Sequence, residues 1–349
     1  MTVQYPSLAQ SVVHWQAQHG RSHLPWQQTR DPYRVWLSEV MLQQTQVTTV
    51  LGYYERFLQR FPDVAALAAA SQDEVMALWS GLGYYSRARN LHRCAQQVVQ
   101  LHGGRFPASA QGLQTLAGIG RSTAAAIAAF CFAERVAILD ANVRRVLTRV
   151  LGFDGDLSMA ENERKLWALA TELLPGDDLE QAMPRYTQGL MDLGATVCLP
   201  RRPLCLLCPL QPRCVAFNQS QPERYPVKTR KLVRKAETWW LLWLRDPSGR
   251  IWLERRPEKG IWAGLYSLPV YASQAALLQH PAAPSASSCT ALPAFVHVLT
   301  HRDLHLHPVV VAVDASVAGG STPEAGWFAS DQWQALGLPA PIRKLLGSL

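Results

Sequence analysis

The stretch Leu116-Ala117-Gly118-Ile119-Gly120-Arg121-Ser122-Thr123-Ala124 decides how residues 7–200 are read. A Gly-x-Gly pair stands between two helical segments, and the second begins at the glycines. Such a hairpin turns backbone N–H groups outward at a helix N-terminus, where they can hold a phosphate. A dinucleotide-binding reading of the same glycines needs a preceding strand, and Gln111 to Leu116 does not read as one. Outward in both directions the chain is a succession of helices, with no alternating strand pattern of useful length and no internal repeat.

On the N-terminal side, Leu8, Val12, Val13 and Trp15 begin the first helix. Asp31-Pro32 is a start signal, and it introduces V-W-L-S-E-V-M-L-Q-Q-T-Q-V at 35–47. Trp36, Leu37, Val40, Met41 and Leu42 give that helix a buried side, and Glu39 sits among them. A carboxylate in apolar surroundings keeps its proton to higher pH, which suits a general acid. Another helix covers about 46–60, and shorter ones follow Pro62 and Ser71. Gly81-Leu82-Gly83-Tyr84-Tyr85 breaks the pattern before a helix capped by Ser86, carrying Arg87, Arg89 and Arg93. The two Tyr rings either lie against bases or pack in a helix–helix turn.

On the C-terminal side, a small-residue helix runs from Ser122 to Phe132. Val136 to Leu139 then deliver Asp140 to the start of another helix, as an N-cap. Capping N–H groups and the helix dipole are expected to keep Asp140 ionised. One carboxyl held protonated and one held charged is a division of labour that breaks glycosidic bonds. Pro184 is expected to open the helix through Gln188, Asp192 and Ala195, with Gln188 and Asp192 on one face. Cys198, Cys205, Cys208 and Cys214 follow as C-x6-C-x2-C-x5-C in a loop rich in Pro and Arg. Zinc sites usually show two close Cys pairs, whereas here one pair is flanked by wider gaps, which favours a [4Fe-4S] cluster. Arg201, Arg202 and Arg213 between the ligands suit phosphate contact. Cys94, Cys131 and Cys289 read as small apolar residues.

Composition agrees with a nucleic-acid partner without proving one. The 349 residues carry 34 Lys and Arg against 26 Asp and Glu, and 28 of the 34 are Arg, whose forks match phosphate oxygens. No secretory signal opens the chain. The longest apolar run, Ala124 to Ala133, is half of the roughly 20 residues a membrane span needs. A soluble, cytoplasmic protein is expected, and its seven Cys then point to metal or free thiols rather than disulfides.

Together the motifs resemble the adenine DNA glycosylases of the MutY family, in the helix-hairpin-helix glycosylase superfamily. The resemblance rests on S-E-V-M-L-Q-Q-T-Q-V at 38–47, G-L-G-Y-Y at 81–85, G-I-G-R-S-T-A at 118–124, L-D-A-N-V-R-R-V-L at 139–147, M-D-L-G-A at 191–195 and the four Cys. It implies removal of adenine mispaired with 8-oxoguanine or guanine in double-stranded DNA, by a monomer that flips the base out of the stack. It implies that Glu39 is the general acid, that Asp140 stabilises the cationic sugar, and that Asn142 orients the catalytic groups. Gln44 and Tyr84 match residues that fill the duplex and contact the opposing base. Trp26 and Gln188 match the adenine pocket; Gly118 and Gly120 match the phosphate-holding hairpin. Ser122 stands where glycosylase–lyases of the superfamily carry a nucleophilic Lys, and Arg144 where some members have Lys. Neither can form a Schiff base, so a monofunctional enzyme is expected. The competing readings are an endonuclease III-like lyase and a non-catalytic iron–sulfur DNA-binding protein. Ser122 and the C-terminal domain speak against the first, Glu39 and Asp140 against the second.

The expected architecture is a mainly α helix-hairpin-helix glycosylase module with an iron–sulfur cluster loop (1–223, loop 198–214), a basic linker (224–235) and a smaller α+β Nudix-like domain (236–349). The linker holds six bases and no acid. T-W-W-L-L-W-L-R and R-I-W-L-E-R-R around Asp246-Pro247-Ser248-Gly249 read as a hairpin. Strands recur near Ala294–Thr300 and Leu304–Val313, and a loop is expected at 281–293. No Nudix catalytic box is present. Leu299-Thr300-His301 aligns with the family's Phe-Ser-His loop, which makes Thr300 and His301 candidate lesion contacts without the aromatic wedge. His297, His301, His305 and His307 read as strand-surface histidines rather than a metal site.

Overall fold

The structure, a computed structural model, describes residues 7–229, 233–281, 289–314 and 324–348. Its contacts form two units that interleave along the chain. Met1–Val50, Asp63–Ala68 and Arg93–Lys231 make the first, and Leu51–Pro62, Ala69–His92 and Leu232–Leu349 the second. Among the described residues no helix is long and apolar enough to cross a membrane.

From the N-terminus the helices are α1 (Leu8–His19), α2 (Pro32–Leu42), α3 (Val47–Arg60), α4 (Val64–Ala69), α5 (Gln72–Trp79), α6 (Ser86–His102), α7 (Ala110–Leu113), α8 (Arg121–Phe132), α9 (Ala141–Leu151), α10 (Ala160–Glu172), α11 (Leu179–Thr196) and α12 (Val215–Asn218). Their starts follow the sequence signals. Ser7 with Gln10 and Ser71 with Glu74 close capping boxes on α1 and α5. Asp31 accepts from the Tyr33 N–H with Pro32 in the first turn of α2. In the first unit Val12, Leu139, Val143, Leu147, Leu166 and Leu193 share one core.

Pro184 does not open α11, contrary to the expectation from its position; the helix begins five residues earlier at Leu179 and runs through it. A proline inside a helix leaves the carbonyl four residues back without its N–H. Here that carbonyl, on Glu180, accepts from Arg30 Nη2 at 3.0 Å. Farther along α11, a Cβ added to Gly194 would lie 2.5 Å from Asn142 Cβ. Only glycine lets α9 approach α11 this closely, which gives the M-D-L-G-A motif a packing role.

The second unit is built on a mixed sheet of β1 (Lys235–Arg245), β2 (Ile251–Arg255), β3 (Tyr266–Ser267), β4 (Val270–Tyr271), β5 (Cys289–Ala291), β6 (Phe295–Val298), β7 (Arg302–Ala312) and β8 (Gly326–Phe328). The path β3-β2-β1-β7-β5 runs through it, with β4 on β1, β6 on β7 and β8 on β2. β1 and β2 form the expected antiparallel hairpin, with Arg245 opposite Ile251. β1 and β7 pair in parallel from Lys235↔Arg302 to Arg245↔Ala312. Short helices α13 (Gln274–Leu278), α14 (Ser330–Gln334) and α15 (Ala340–Leu346) complete the unit. Within it Ser80 Oγ and Tyr85 OH both donate to the Leu338 carbonyl, at 2.9 and 3.0 Å.

Strand alternation separates the histidines. His297 pairs with Leu304 and shares its face, whereas His305 and His307 point to the other face. Of the expected loop at 281–293, residues 282–288 lie outside the described residues, and 289–291 form β5 rather than loop. Residues 230–232 of the basic linker also lie outside them, while its earlier part is anchored, with Leu157 N–H donating to the Val227 carbonyl at 3.0 Å.

Candidate active site

In the first unit, the 3-10 turn Pro25–Gln27, helix α2 and helix α11 enclose a cavity of about 280 Å³. Trp26, Gln27, Ser38, Glu39, Arg185 and Gln188 line it, among others. Trp26 is buried and gives the cavity an aromatic wall. Burial first, and then the charge of Asp140, push the Glu39 carboxyl up to about 8. The charge of Asp140 acts on Glu39, although Asp140 does not itself line this cavity.

Asp140 caps α9, its Oδ1 accepting from the Val143 N–H at 2.7 Å. The cap was expected to hold this group low. Instead burial outweighs the capping N–H groups of Val143 and Asn142 and the nearby Arg145 and Arg144, and its proton affinity rises. Burial thus raises both carboxyls, so the free site does not separate them into one acid and one base as cleanly as the cap implied.

Side chains around the pair are held in turn. Asn142 Oδ1 accepts from Arg145 Nη2 at 2.8 Å. Arg145 also donates to the Gly194 carbonyl at 2.7 Å and, through Nε, to the Cys198 carbonyl at 2.7 Å. Gln188 Nε2 donates to Asp192 at 2.9 Å, and the fully buried Asp192 also takes Arg21 Nε at 2.7 Å. Because a carboxylate only accepts, this bond fixes the Gln188 amide with its oxygen unspent. Sequence reading placed Gln188 and Asp192 on one face, as this bond requires, but did not flag Arg145. The spacing of Arg145 three residues after Asn142 on a helix was the available signal.

At the hairpin, Gly118 has φ +75 and precedes buried Ile119 and exposed Gly120. Gly120 caps α8 without any side-chain hydrogen bond, so the first N–H groups of α8 have no side-chain acceptor. Ser122 Oγ accepts from the Leu139 N–H at 3.1 Å, tying the hairpin helix to the segment that carries Asp140. Gln44 and Tyr84 share an unforeseen property. Both are non-glycine residues with left-handed backbone, at φ 57 and 50. Gln44 is exposed just after α2. Tyr84 is 42% exposed whereas Tyr85 is buried, so the Tyr pair divides between surface and core. In the second unit Tyr84 OH and Thr300 Oγ1 are 2.9 Å apart and hydrogen-bonded. His301 is exposed in the turn between β6 and β7, its carbonyl accepting from the Lys235 N–H at 3.1 Å.

Cys198, Cys205, Cys208 and Cys214 line one further cavity, with Val146, Val150, Leu193 and Phe217 among its walls. Burial, with a smaller push from neighbouring cysteines, raises the Cys208 thiol to about 12 and also raises Cys205 and Cys214. Four thiolates here need a positive body to share their charge. Four thiols lining one cavity are a donor set that suits thiolate ligation. Buried Arg149 binds the loop, donating to the Leu199 and Pro200 carbonyls at 2.6 and 3.0 Å and to Cys198 Sγ at 3.3 Å.

Comparisons with known proteins agree with this arrangement. Residues 37–172 match the HhH-GPD superfamily base excision DNA repair protein family, and residues 239–348 match the NUDIX domain family. The chain is 33% identical over 341 residues to the adenine DNA glycosylase of Buchnera aphidicola subsp. Acyrthosiphon pisum (strain APS), covering 97% of this chain and 96% of that protein. It is 34% identical over 401 aligned positions to the adenine DNA glycosylase of Mus musculus, covering 96% of this chain and 76% of that one. A solved thermostable thymine-DNA glycosylase is similar at TM-score 0.53 and 28% identity, over 60% of this chain and 95% of that chain. An endonuclease III–DNA complex shares the fold at TM-score 0.50 and 19% identity, over 61% of this chain and 94% of that chain.

Proposed function

The chain belongs to the adenine DNA glycosylase family within the HhH-GPD superfamily, and from that premise we propose that it hydrolyses the N-glycosidic bond of adenine mispaired with 8-oxoguanine or guanine in duplex DNA. The carrying observation is Glu39, a carboxyl raised to about 8 at the wall of a cavity it shares with Trp26 and Gln188. At neutral pH it holds a proton it can give to a flipped adenine, turning the base into a neutral leaving group. The Gln188 oxygen, left free by Asp192, accepts from the 6-amino group. As the glycosidic bond lengthens, the sugar becomes cationic. The Asp140 carboxylate stabilises that cation, and the cation in turn favours the ionised form of Asp140.

Water completes the reaction and leaves an abasic site. Ser122 is engaged with Leu139, and Arg144 donates to the Leu139 carbonyl at 3.1 Å while pairing with Glu163. Neither offers an amine to the sugar, which supports a monofunctional reaction. The uncapped start of α8 at Gly118 and Gly120 holds a backbone phosphate, and exposed Gln44 enters the gap left by the adenine. Residues 1–223 carry base removal on this reading, and 236–349, with Thr300 and His301, inspect the opposing base together with Tyr84. Cys198, Cys205, Cys208 and Cys214 would hold a [4Fe-4S] cluster, which supplies a rigid crosslink for the loop. Incubation with an A:8-oxoguanine duplex followed by alkali is expected to cleave the strand at the adenine. Absence of an alkali-labile site there would reject the reading, and a borohydride-trapped protein–DNA adduct would reject the monofunctional mechanism.

A further inference from the structure

Arg87, in the first turn of α6, is only 8% exposed. Burial pushes its guanidinium down to about 10, so the group stays charged at neutral pH. A buried charge weakens a fold unless its surroundings hold it, and too little of this one reaches solvent to meet a phosphate. Its ties run instead to one short loop. Nη2 donates to the Leu82 and Gly83 carbonyls, at 3.3 and 3.2 Å. The guanidinium carbon lies 5.3 Å from the Trp79 ring centroid and 5.4 Å from that of Tyr84, within reach of cation–π attraction to both. The Arg87 N–H donates to the Tyr84 carbonyl at 2.8 Å, and Trp79 Nε1 donates to the same Gly83 carbonyl at 3.0 Å.

The loop needs such a grip. Gly81 and Gly83 have φ 99 and 75, which glycine takes freely, but Tyr84 at φ 50 is a tyrosine in left-handed backbone. A bulky residue persists there only where its surroundings over-determine it. Arg87 does so from the buried side. It holds the two carbonyls that precede Tyr84, the carbonyl of Tyr84 itself, and one face of its ring. On the outer side the Tyr84 hydroxyl meets Thr300, and all of these residues belong to the second unit. Tyr84 is therefore an exposed side chain on a backbone fixed from within.

We infer that Arg87 is a positioning residue, which sets the backbone and ring of Tyr84 for the base opposite the target adenine without touching DNA itself. The inference rests on the proposed reading in which Tyr84 meets that base. A mobile tyrosine adapts to whichever base it meets. A fixed one meets a well-matched base and fails to meet a poorly matched one, so holding Tyr84 still turns contact into discrimination.

The test is a double-mutant cycle on Arg87→Met and Tyr84→Leu. It reads the preference for adenine opposite 8-oxoguanine over adenine opposite guanine, with both duplexes competing in one tube. Arg87→Met alone is expected to lower that preference about fivefold, the worth of one hydrogen bond. Added to Tyr84→Leu it is expected to change the preference by less than about twofold, because the side chain it acts through is already gone. Arg87→Lys keeps the charge but not the planar fork, and is expected to fall between wild type and Arg87→Met. If Arg87→Met melts below the assay temperature, Arg87→Lys takes its place in the cycle, with its smaller loss likewise expected to vanish beside Tyr84→Leu. An unchanged preference in the Arg87 variant, or an equal loss with and without Tyr84, would overturn the assignment. A wild type that leaves adenine untouched opposite both 8-oxoguanine and guanine would instead refute the function, so the two failures are distinguishable.

Discussion

At the scale of single residues, Glu39 links folding and chemistry through one proton. Its carboxyl rises from 4.5 to about 8. Below 4.5 the folded and unfolded chains both hold the proton, so folding incurs no penalty from it. As pH rises from there toward about 8, only the unfolded chain releases it, and stability is lost across that window. At roughly 1.36 kcal/mol per pH unit the full loss is on the order of 5 kcal/mol. Glu39→Gln is therefore expected to melt higher than wild type at pH 8 and alike near pH 4, in parallel thermal scans. The same variant should retain DNA binding and lose base removal; wild-type turnover would end the acid assignment. In wild type, kcat/KM should fall about tenfold per pH unit once the pH passes about 8. Gln44 belongs to this scale too. Its left-handed backbone costs an L-residue on the order of 1–2 kcal/mol, so Gln44→Gly should unfold no more easily than wild type while removing adenine more slowly. The acid itself was legible, because apolar residues surround it in sequence. The strain at Gln44 was not, because φ is set by how the ends of α2 and α3 are held.

At the scale of elements, caps and breakers were legible wherever they act locally. Asp31, Ser71 and Asp140 cap the helices they were expected to begin, whereas Ser86, expected as a cap, is itself the first residue of α6. Pro184 misled because its effect depends on a distant partner, Arg30, that takes the spare carbonyl. The upward shift of Asp140 also escaped the sequence, since a cap is visible in the residue string and desolvation is not. The approach of α9 to α11 gives a sharp expectation. Gly194→Ala places a methyl 2.5 Å from Asn142 Cβ, and should cost about 1–3 kcal/mol as the helices separate. Base removal should fall by tenfold or more at temperatures where circular dichroism still shows a folded protein, since Asp140 and Asn142 both ride on α9. On the cluster loop, Arg149→Met removes the donors that hold the Leu199 and Pro200 carbonyls. Limited proteolysis should then cut between 198 and 225 faster than in wild type.

At the scale of the whole molecule, linear order and contact diverge. Helical periodicity shows that a helix has a buried side but not which body covers it. Residues 69–92 read as part of the same succession of helices, yet they belong by contact to the unit that contains the sheet. Tyr84 and Thr300, 216 positions apart in the chain, are thereby neighbours. Thr300→Ala should leave adenine removal opposite guanine nearly unchanged and reduce the preference for 8-oxoguanine by about fivefold, the worth of one hydrogen bond. Competition between the two duplexes in one tube measures this directly. On the proposed reading, in which Tyr84 and Thr300 meet the opposing base, the bond between them has a further consequence for how the protein would travel along DNA. Two hydroxyls that would otherwise grope for any passing base are occupied with each other, so engaging a base at this point is an exchange rather than a gain. Ordinary pairs have little to trade and are passed over quickly. Only a base with hydrogen-bonding groups good enough to part the two hydroxyls slows the search, which makes haste over normal sequence and arrest at a lesion two outcomes of the same contact.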